Sequence, residues 1–212
     1  MLDALSRFPN LNQLELDFSI DSFNTLLPLQ NQLQKLVSFS IGPSSSSTHW
    51  ISRRTLPQLA ALLPRIEEFR IVDHGLERGT VSLDTLQCFA ISCPHLRKLR
   101  IPISVESVTG TGVQSHPSIQ EIDFRSSMIV RPADPRAAAE TMAAMFPKLL
   151  LFSYVGKYDD EMDSDDSNMY LWEVLAGALV HLLPGLIISV SDDDEGTIGS
   201  FGDFFSGPVK VL

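Results

Sequence analysis

Leucine, isoleucine and phenylalanine recur along this chain in one octapeptide pattern, Pro-x-Leu-x-x-Leu-x-Leu, whose remaining positions are mostly polar. Seven copies are separated by 25, 30, 30, 23, 30 and 37 residues, although the second lacks the proline and the last is frayed. Self-similarity at a period of about 20–50 residues is typical of repeat architectures, so we expect similar units that stack side by side. The copies begin at Pro9, Gln34, Pro64, Pro94, Pro117, Pro147 and Pro184.

The second half of each copy alternates apolar and polar residues, which is the pattern of a β-strand with one buried face. In the first copy, Leu14 and Leu16 are expected to point into the core, whereas Glu15 faces solvent. We expect consecutive strands to pair in parallel, in sequence order. Ten apolar strand residues are predicted to be buried: Leu14, Leu16, Phe69, Ile71, Leu99, Ile101, Ile122, Phe124, Phe152 and Tyr154.

Segments with the apolar spacing of a helix precede most copies, as Leu56 and Leu59 do before the third. Thr55, Asp84 and Asp134 are the predicted N-caps of three such helices, and Asp84 is followed three residues later by a glutamine, as in a capping box. The repeat proline cannot continue the helical hydrogen bonds, so we expect it to end each helix. Stacked units would then form a parallel sheet on one side and a layer of helices on the other.

The lines FPNLNQLEL, LPRIEEFRI and CPHLRKLRI show the leucine-rich-repeat pattern in its irregular form. Together they resemble the repeat region of fungal F-box/leucine-rich-repeat proteins, over residues 5–190. The fold expected is an α/β horseshoe solenoid with the parallel sheet on its concave face and helices on its convex face. The resemblance implies substrate recognition for a ubiquitin ligase. The sequence carries no F-box, so no residue of it is expected to dock on the ligase scaffold.

We expect one repeat domain over residues 1–195, with about six to seven repeats and an acidic loop insertion at residues 157–167. Residues 196–212 would form a C-terminal cap that folds back through its phenylalanine and valine residues, or else a docking tail. At the other end, Leu2, Leu5 and Phe8 lead directly into the first strand. A solenoid needs its ends covered, so we expect a missing domain or a partner at that edge.

The polar strand positions are the candidate functional site, since the concave face of a curved solenoid is the surface with which it binds partners. We expect a protein partner there, and mixed charge favours selectivity and fast association more than raw affinity. The expected partner-binding residues, exposed on the middle strands, are Glu68, Arg70, Lys98, Arg100, Glu121, Asp123 and Arg125.

Motifs of catalysis do not occur in the sequence: there is no Gly-x-Ser-x-Gly elbow, no phosphate-binding loop and no His-Glu-x-x-His. The five histidines are scattered. Cys93 fills a slot that holds leucine or phenylalanine in other copies, so we expect a buried, reduced thiol there, and Cys88 lies in the preceding helix. We therefore expect a non-catalytic protein without metal or cofactor. The alternative is an enzyme fragment whose site the sequence does not reveal.

The formal net charge of −10 resides in two acidic tracts, residues 159–166 and 192–195, because the rest of the chain has 16 acidic and 16 basic residues. An acidic chain lacks the basic face that nucleic acid requires, so we expect no nucleic-acid partner. The first tract lacks the glycine and the distal glutamate of an EF-hand calcium loop, and we interpret it as a solvated insertion. The start of the chain has no signal-peptide pattern, which favours the cytoplasm or the nucleus.

Residues 171–190 are largely apolar and are the one stretch that resembles a membrane span. Glu173, His181 and Pro184 interrupt it, and polar groups are costly inside hydrocarbon. We therefore expect no membrane association and predict a nearly all-buried helix that ends at Leu183 and Pro184, followed by a strand from Leu186 to Val190. A membrane-associated protein built around this stretch is the alternative.

If the first acidic tract is a solvated loop, replacing residues 159–166 with a Gly/Ser linker of the same length will leave the free energy of unfolding within about 0.5 kcal/mol of the wild type. Urea denaturation with and without calcium measures this. A rise in melting temperature on calcium addition that is confined to the wild type would instead show a metal site in the tract.

Overall fold

The computed structural model describes residues 8, 10–16, 23–41, 53–71, 81–105, 113–124, 128–129, 134–155 and 166–191. Within these residues seven strands form one open parallel sheet in sequence order, which confirms the predicted pairing. The sheet contains β1 (Gln13–Leu16), β2 (Ser38–Ile41), β3 (Glu68–Ile71), β4 (Lys98–Arg100), β6 (Glu121–Asp123), β8 (Leu151–Val155) and β9 (Ile187–Ser191). A second, two-stranded parallel sheet pairs β5 (Ser104–Val105) with β7 (Met128–Ile129).

Among the described residues, helical segments precede β2, β3, β4, β8 and β9, whereas none lies between β4 and β6. Short 3-10 turns span Phe23–Thr25, Leu27–Leu29 and Leu83–Leu86. The α-helices are α1 (Gln30–Leu33), α2 (Thr55–Ala61), α3 (Gln87–Ser92), α4 (Pro135–Met145) and α5 (Asp166–Leu182). Their buried side chains belong to the same hydrophobic cluster as the inward side chains of the strands, so the helices pack against one face of the sheet.

A four-residue turn joins helix to strand in most units, with the repeat proline at its second position. The backbone N–H of Leu96 donates to the carbonyl of Cys93 at 3.1 Å, and Leu149 donates to Phe146 at 3.1 Å. Proline suits the second position of such a turn because its φ is already fixed at about −65°. Each of α2 to α5 ends two or three residues before its proline, which confirms the predicted helix stop.

One backbone carbonyl ahead of each strand accepts two N–H groups from the next unit. The carbonyl of Glu67 accepts from Arg97 at 2.8 Å and from Lys98 at 3.0 Å, and the carbonyl of Arg97 accepts from Gln120 and Glu121 at 2.9 and 3.0 Å. The same arrangement repeats from β1 to β8. Equivalent positions of successive copies therefore lie side by side across the sheet.

The last strand departs from this register by one residue. Leu151 of β8 pairs with Ile187, so β9 begins one residue sooner after its turn than the earlier strands do. Gly185 occupies the third position of that turn with φ of 92°, which a type II turn requires. The shift pairs Ile188 and Val190 with the inward residues of β8, because side-chain polarity decides which face a strand residue occupies.

Aromatic side chains form the centre of the core. Phe69 lies between Phe39 and Phe89, with ring centroids 6.0 and 5.2 Å apart. In the second half of the chain, Trp172 contacts three aromatic rings at about the same spacing, namely Phe124, Phe152 and Tyr154. All ten strand residues that the sequence predicted to be buried are buried.

The predicted N-caps are correct in one case of three. Asp134 caps α4, since its Oδ1 accepts the backbone N–H of Arg136 at 2.9 Å. Thr55 is wrong as a cap because α2 begins with that residue. Asp84 is also wrong, because it lies inside a 3-10 turn whose cap position is Ser82, and the hydroxyl of Ser82 bonds to that of Thr85 at 2.8 Å.

Residues 171–190 form the predicted helix and strand, since α5 ends at Leu182 and β9 begins at Ile187. In the described ranges no helix is both long and apolar enough to cross a membrane. The prediction that α5 is nearly all-buried is wrong: Glu173, Val180 and Leu182 are exposed. One face of α5 packs on α4 and the sheet, and the other lies at the surface.

Several predictions fall on residues that the structure does not describe. They concern the tail at residues 196–212, the second acidic tract, and the acidic insertion except for Asp166 and Ser167. Those two residues begin α5, so the insertion is shorter than predicted at its C-terminal end.

We expect Phe69→Ala to lower the free energy of unfolding by about 3–5 kcal/mol, because the fully buried ring leaves a cavity between Phe39 and Phe89. Ile91→Ala is the matched control: Ile91 is 68% exposed on α3, and its loss should cost at most about 0.5 kcal/mol. Urea denaturation of both variants checks the prediction, and equal losses would contradict the packing described.

Candidate functional site

Six of the seven predicted partner-binding residues lie together on the outward face of the sheet, the face opposite the helices. They form two columns that cross β3, β4 and β6. The first charged column is Glu68, Lys98 and Glu121, and the second charged column is Arg70, Arg100 and Asp123. The seventh residue, Arg125, lies outside the described residues.

Ion pairs link neighbouring strands within each column. In the first, Lys98 Nζ lies 3.0 Å from Glu121 Oε2, and the two side chains are 39% and 34% exposed. In the second, Arg100 Nε lies 3.4 Å from Asp123 Oδ2, and these side chains are only 19% and 15% exposed. Water screens the ion pair between Lys98 and Glu121 more than the one between Arg100 and Asp123. Electrostatic interactions are therefore stronger in the second column than in the first.

The six side chains, which the sequence predicts to be exposed, are half-buried. Long charged side chains that are neighbours on a sheet cover the methylene groups of one another, which reduces the exposure of each. Positions just ahead of the strands, such as Glu67, Arg97 and Gln120, are more exposed than these six. Their carbonyls face the next strand while their side chains point to water.

Serines flank the charged columns at strand positions that alternate with buried residues. Ser38 and Ser40 of β2 stand at the equivalent positions on one side, and Ser153 and Ser189 continue the second column on the other. The alignment of the copies predicts Ser38, Ser40 and Ser153 on this face. Among the described residues, Ser40 Oγ is buried and has no hydrogen-bond partner.

His116 is the other polar group that the sequence reasoning left without a role. It occupies the buried slot before a repeat proline, where other copies hold Leu63, Cys93 or Phe146. Its Nε2 lies 2.9 Å from the carbonyl of Cys93 and therefore donates to it, while Nδ1 is buried without a hydrogen-bond partner among the described residues. Burial lowers the pKa of His116, so it binds the helix end as a neutral ring.

The two thiols are free and buried, as predicted for Cys93. The Sγ of Cys93 donates to the carbonyl of Ala60 at 3.4 Å. Burial raises the pKa of both Cys88 and Cys93 to about 12. A thiol must lose its proton to act as a nucleophile or a metal ligand, so at neutral pH these two pack as small apolar side chains. Within the described ranges no three metal-binding side chains cluster.

A groove of about 510 Å³ lies between α4 and α5, on the helical side of the molecule. Its lining combines the apolar side chains of Val174, Ala178 and Leu182 with the polar side chains of Arg136, Glu140 and His181. Small-molecule sites are usually concave, so this groove is one place where an enzyme of unrecognised class would bind a substrate.

Comparisons with protein-family models, with curated proteins and with solved structures found no match to this chain. They therefore assign no family and transfer no function. What the protein does has to be argued from the arrangement of its own residues.

We expect the stability of the wild type to fall as the pH drops below about 6.5, where histidine in the unfolded chain takes up a proton that buried His116 resists. His116→Leu introduces leucine, which another copy has at the equivalent position, Leu63. The melting temperature of this variant should therefore fall less than that of the wild type between pH 7 and pH 5. His95→Leu, which removes an exposed histidine, should keep the wild-type pH dependence. Equal slopes for all three proteins in thermal melts would contradict the assignment.

Proposed function

We propose that the chain is an irregular leucine-rich-repeat solenoid that binds a protein partner through the outward, concave face of its sheet and catalyses no reaction. Recognition of a substrate for a ubiquitin ligase is the use that its repeat lines imply by resemblance. The observation that carries the proposal is the alignment of six charged side chains in two adjacent columns on β3, β4 and β6.

The size of this face supports protein binding. Seven parallel strands spaced about 4.8 Å apart span roughly 29 Å. The strands of three to five residues make the face roughly 10–16 Å long, so it supplies a large part of the roughly 800 Å² that a stable protein interface buries on each partner. The serines beside the columns have short side chains, so another chain can approach the sheet closely there.

The charge pattern supports selective binding. Signs alternate along the first column, from Glu68 to Lys98 to Glu121, whereas the second column places Arg70 beside Arg100 before Asp123. A partner must match this pattern of signs, because like charges held together at an interface are costly.

The state of the other reactive groups supports a non-catalytic role. The thiols stay protonated at neutral pH, and His116 is neutral and hydrogen-bonded to a backbone carbonyl. None of these three groups has the exposed, activated form that nucleophilic or general base catalysis requires.

The test is capture of partners from a cell lysate by Lys98→Glu/Arg100→Gln. Arg100 is changed to glutamine because a glutamate beside the sheltered Asp123 would destabilise the fold. We expect the variant to bind wild-type partners at least about tenfold more weakly, because attraction is lost and a new repulsion arises at position 98.

The matched control is Lys148→Glu/Arg136→Gln, which makes the same charge change at exposed positions outside the sheet face. Circular dichroism confirms that both variants are folded. If the control loses the partners while the sheet-face variant keeps every one, the binding surface is not the sheet.

A further inference from the structure

The last strand of the sheet has one edge that no described strand covers. β9 pairs with β8 on one side, and among the described residues no strand lies on its other side. The N–H of Ile187 donates to the carbonyl of Leu150, on the β8 side, at 2.8 Å. Successive N–H groups of a strand point to opposite sides, so those of Ile188 and Val190 point to the unpaired edge.

The side chains at this edge are apolar, and they are more exposed than their counterparts in the unit before. Ile188 and Val190 are the register partners of Phe152 and Tyr154 in β8. Phe152 is fully buried and Tyr154 is 4% exposed, whereas Val190 is 40% exposed. An apolar, unpaired strand edge readily accepts another strand. This end of the stack is therefore a surface that an additional segment would complete.

Helix α5 differs from the other helices at the position that faces the next unit. That position lies four residues before the repeat proline, and in α2, α3 and α4 it is alanine: Ala60, Ala90 and Ala143. In α4 it comes one turn after Glu140, which lines the groove toward α5, so this row of residues faces the following helix. In α5 the position holds Val180, which is 38% exposed. The distance between packed helices depends on the side chains at their contact, so valine in place of alanine favours an extended segment over another helix here.

We infer that residues 198–205 of this chain pair with the unpaired edge of β9 as an additional strand. Their apolar side chains cover Val180 and Val190. The chain leaves β9 at Ser191, so the segment begins close to the surface that it covers. The inference concerns the end of the repeat stack and does not depend on the partner-binding face.

The length of the connection sets the direction of the added strand. Residues 192–197 are the six residues that join β9 to the segment. A parallel strand needs a crossover of a dozen or more residues, so the segment runs antiparallel to β9. Parallel sheets commonly carry an antiparallel strand at the edge.

The composition of the segment suits this position better than a second copy of the chain does. Gly199 and Gly202 disfavour a helix, and Asp203 is the single charged residue. Each copy has a net charge of −10 and carries four acids, residues 192–195, directly after β9, so two such ends would bring like charges together. The apolar side chains of the segment are Ile198, Phe201, Phe204 and Phe205.

Amide hydrogen exchange, followed residue by residue by NMR on the purified full chain, tests the inference. We expect the N–H groups of Ile188 and Val190 to be protected in the wild type, as is the N–H of Ser189, which points to β8. In Phe204→Ser/Phe205→Ser the exchange of Ile188 and Val190 should become at least about tenfold faster, because local opening exposes the edge. Ser189 should stay protected, which shows that the variant is folded.

Two further double variants separate docking from a general loss of apolar residues. Ile91→Ser/Tyr170→Ser removes two exposed apolar side chains far from β9, which are 68% and 62% exposed, and should leave the exchange of the edge amides unchanged. Val180→Ser/Val190→Ser alters the surface itself. Combined with Phe204→Ser/Phe205→Ser, it should lower the melting temperature by less than the sum of the two separate losses, because the contact is lost only once.

The inference is overturned if the amides of Ile188 and Val190 exchange freely in the wild type, or if Phe204→Ser/Phe205→Ser leaves their protection unchanged. Additive losses of melting temperature in the combined variant would also overturn it. Analytical ultracentrifugation over a range of protein concentrations distinguishes the other occupant. Protection that disappears as a dimer dissociates would assign the edge to a second copy of the chain.

Discussion

The turn between helix and strand is the constraint on which the rest of this structure depends. Its proline ends the helix, and its backbone hydrogen bond, such as Leu96 to Cys93, turns the chain toward the next strand. Because the turn leads each strand into the sheet at the same point, the carbonyl ahead of one strand meets the N–H groups of the next. Register is therefore set locally, unit by unit, and does not require long-range adjustment.

This local control of register is also what makes the outward face specific. A shift of one residue would move every charged side chain into the core and every apolar one into water. β9 shows the rule at work, since its strand starts one residue early and still pairs Ile188 and Val190 with the inward residues Phe152 and Tyr154 of β8. Residues that are distant in sequence, such as Arg70 and Asp123, consequently stand on neighbouring or next-neighbouring strands at one level of the sheet.

Most of the framework could be predicted from the sequence because both governing signals are local: a proline after a helix, and alternation at period two. The alignment of copies predicts that Lys98 stands between Glu68 and Glu121. Three features could not be predicted, because each depends on how side chains from different units meet. They are the partial burial of the charged columns, the buried hydroxyl of Ser40 and the hydrogen bond from His116 to Cys93. The caps Thr55 and Asp84 failed because a 3-10 turn or an early helix start satisfied the backbone instead.

The inward face of the sheet supplies the stability, and this explains how the fold tolerates the charge pattern of the outward face. Like charges on neighbouring strands repel by roughly 1–3 kcal/mol near a protein surface. Full burial of one phenylalanine contributes about 1.5–3 kcal/mol, and the inward face carries Phe39, Phe69, Phe124 and Phe152 in addition to its aliphatic residues. The ion pair between Arg100 and Asp123 offsets part of the repulsion between Arg70 and Arg100 on the outward face, and the core offsets the rest. Because the packed inward face supplies most of the stability, the charge pattern of the outward face can differ from one strand to the next.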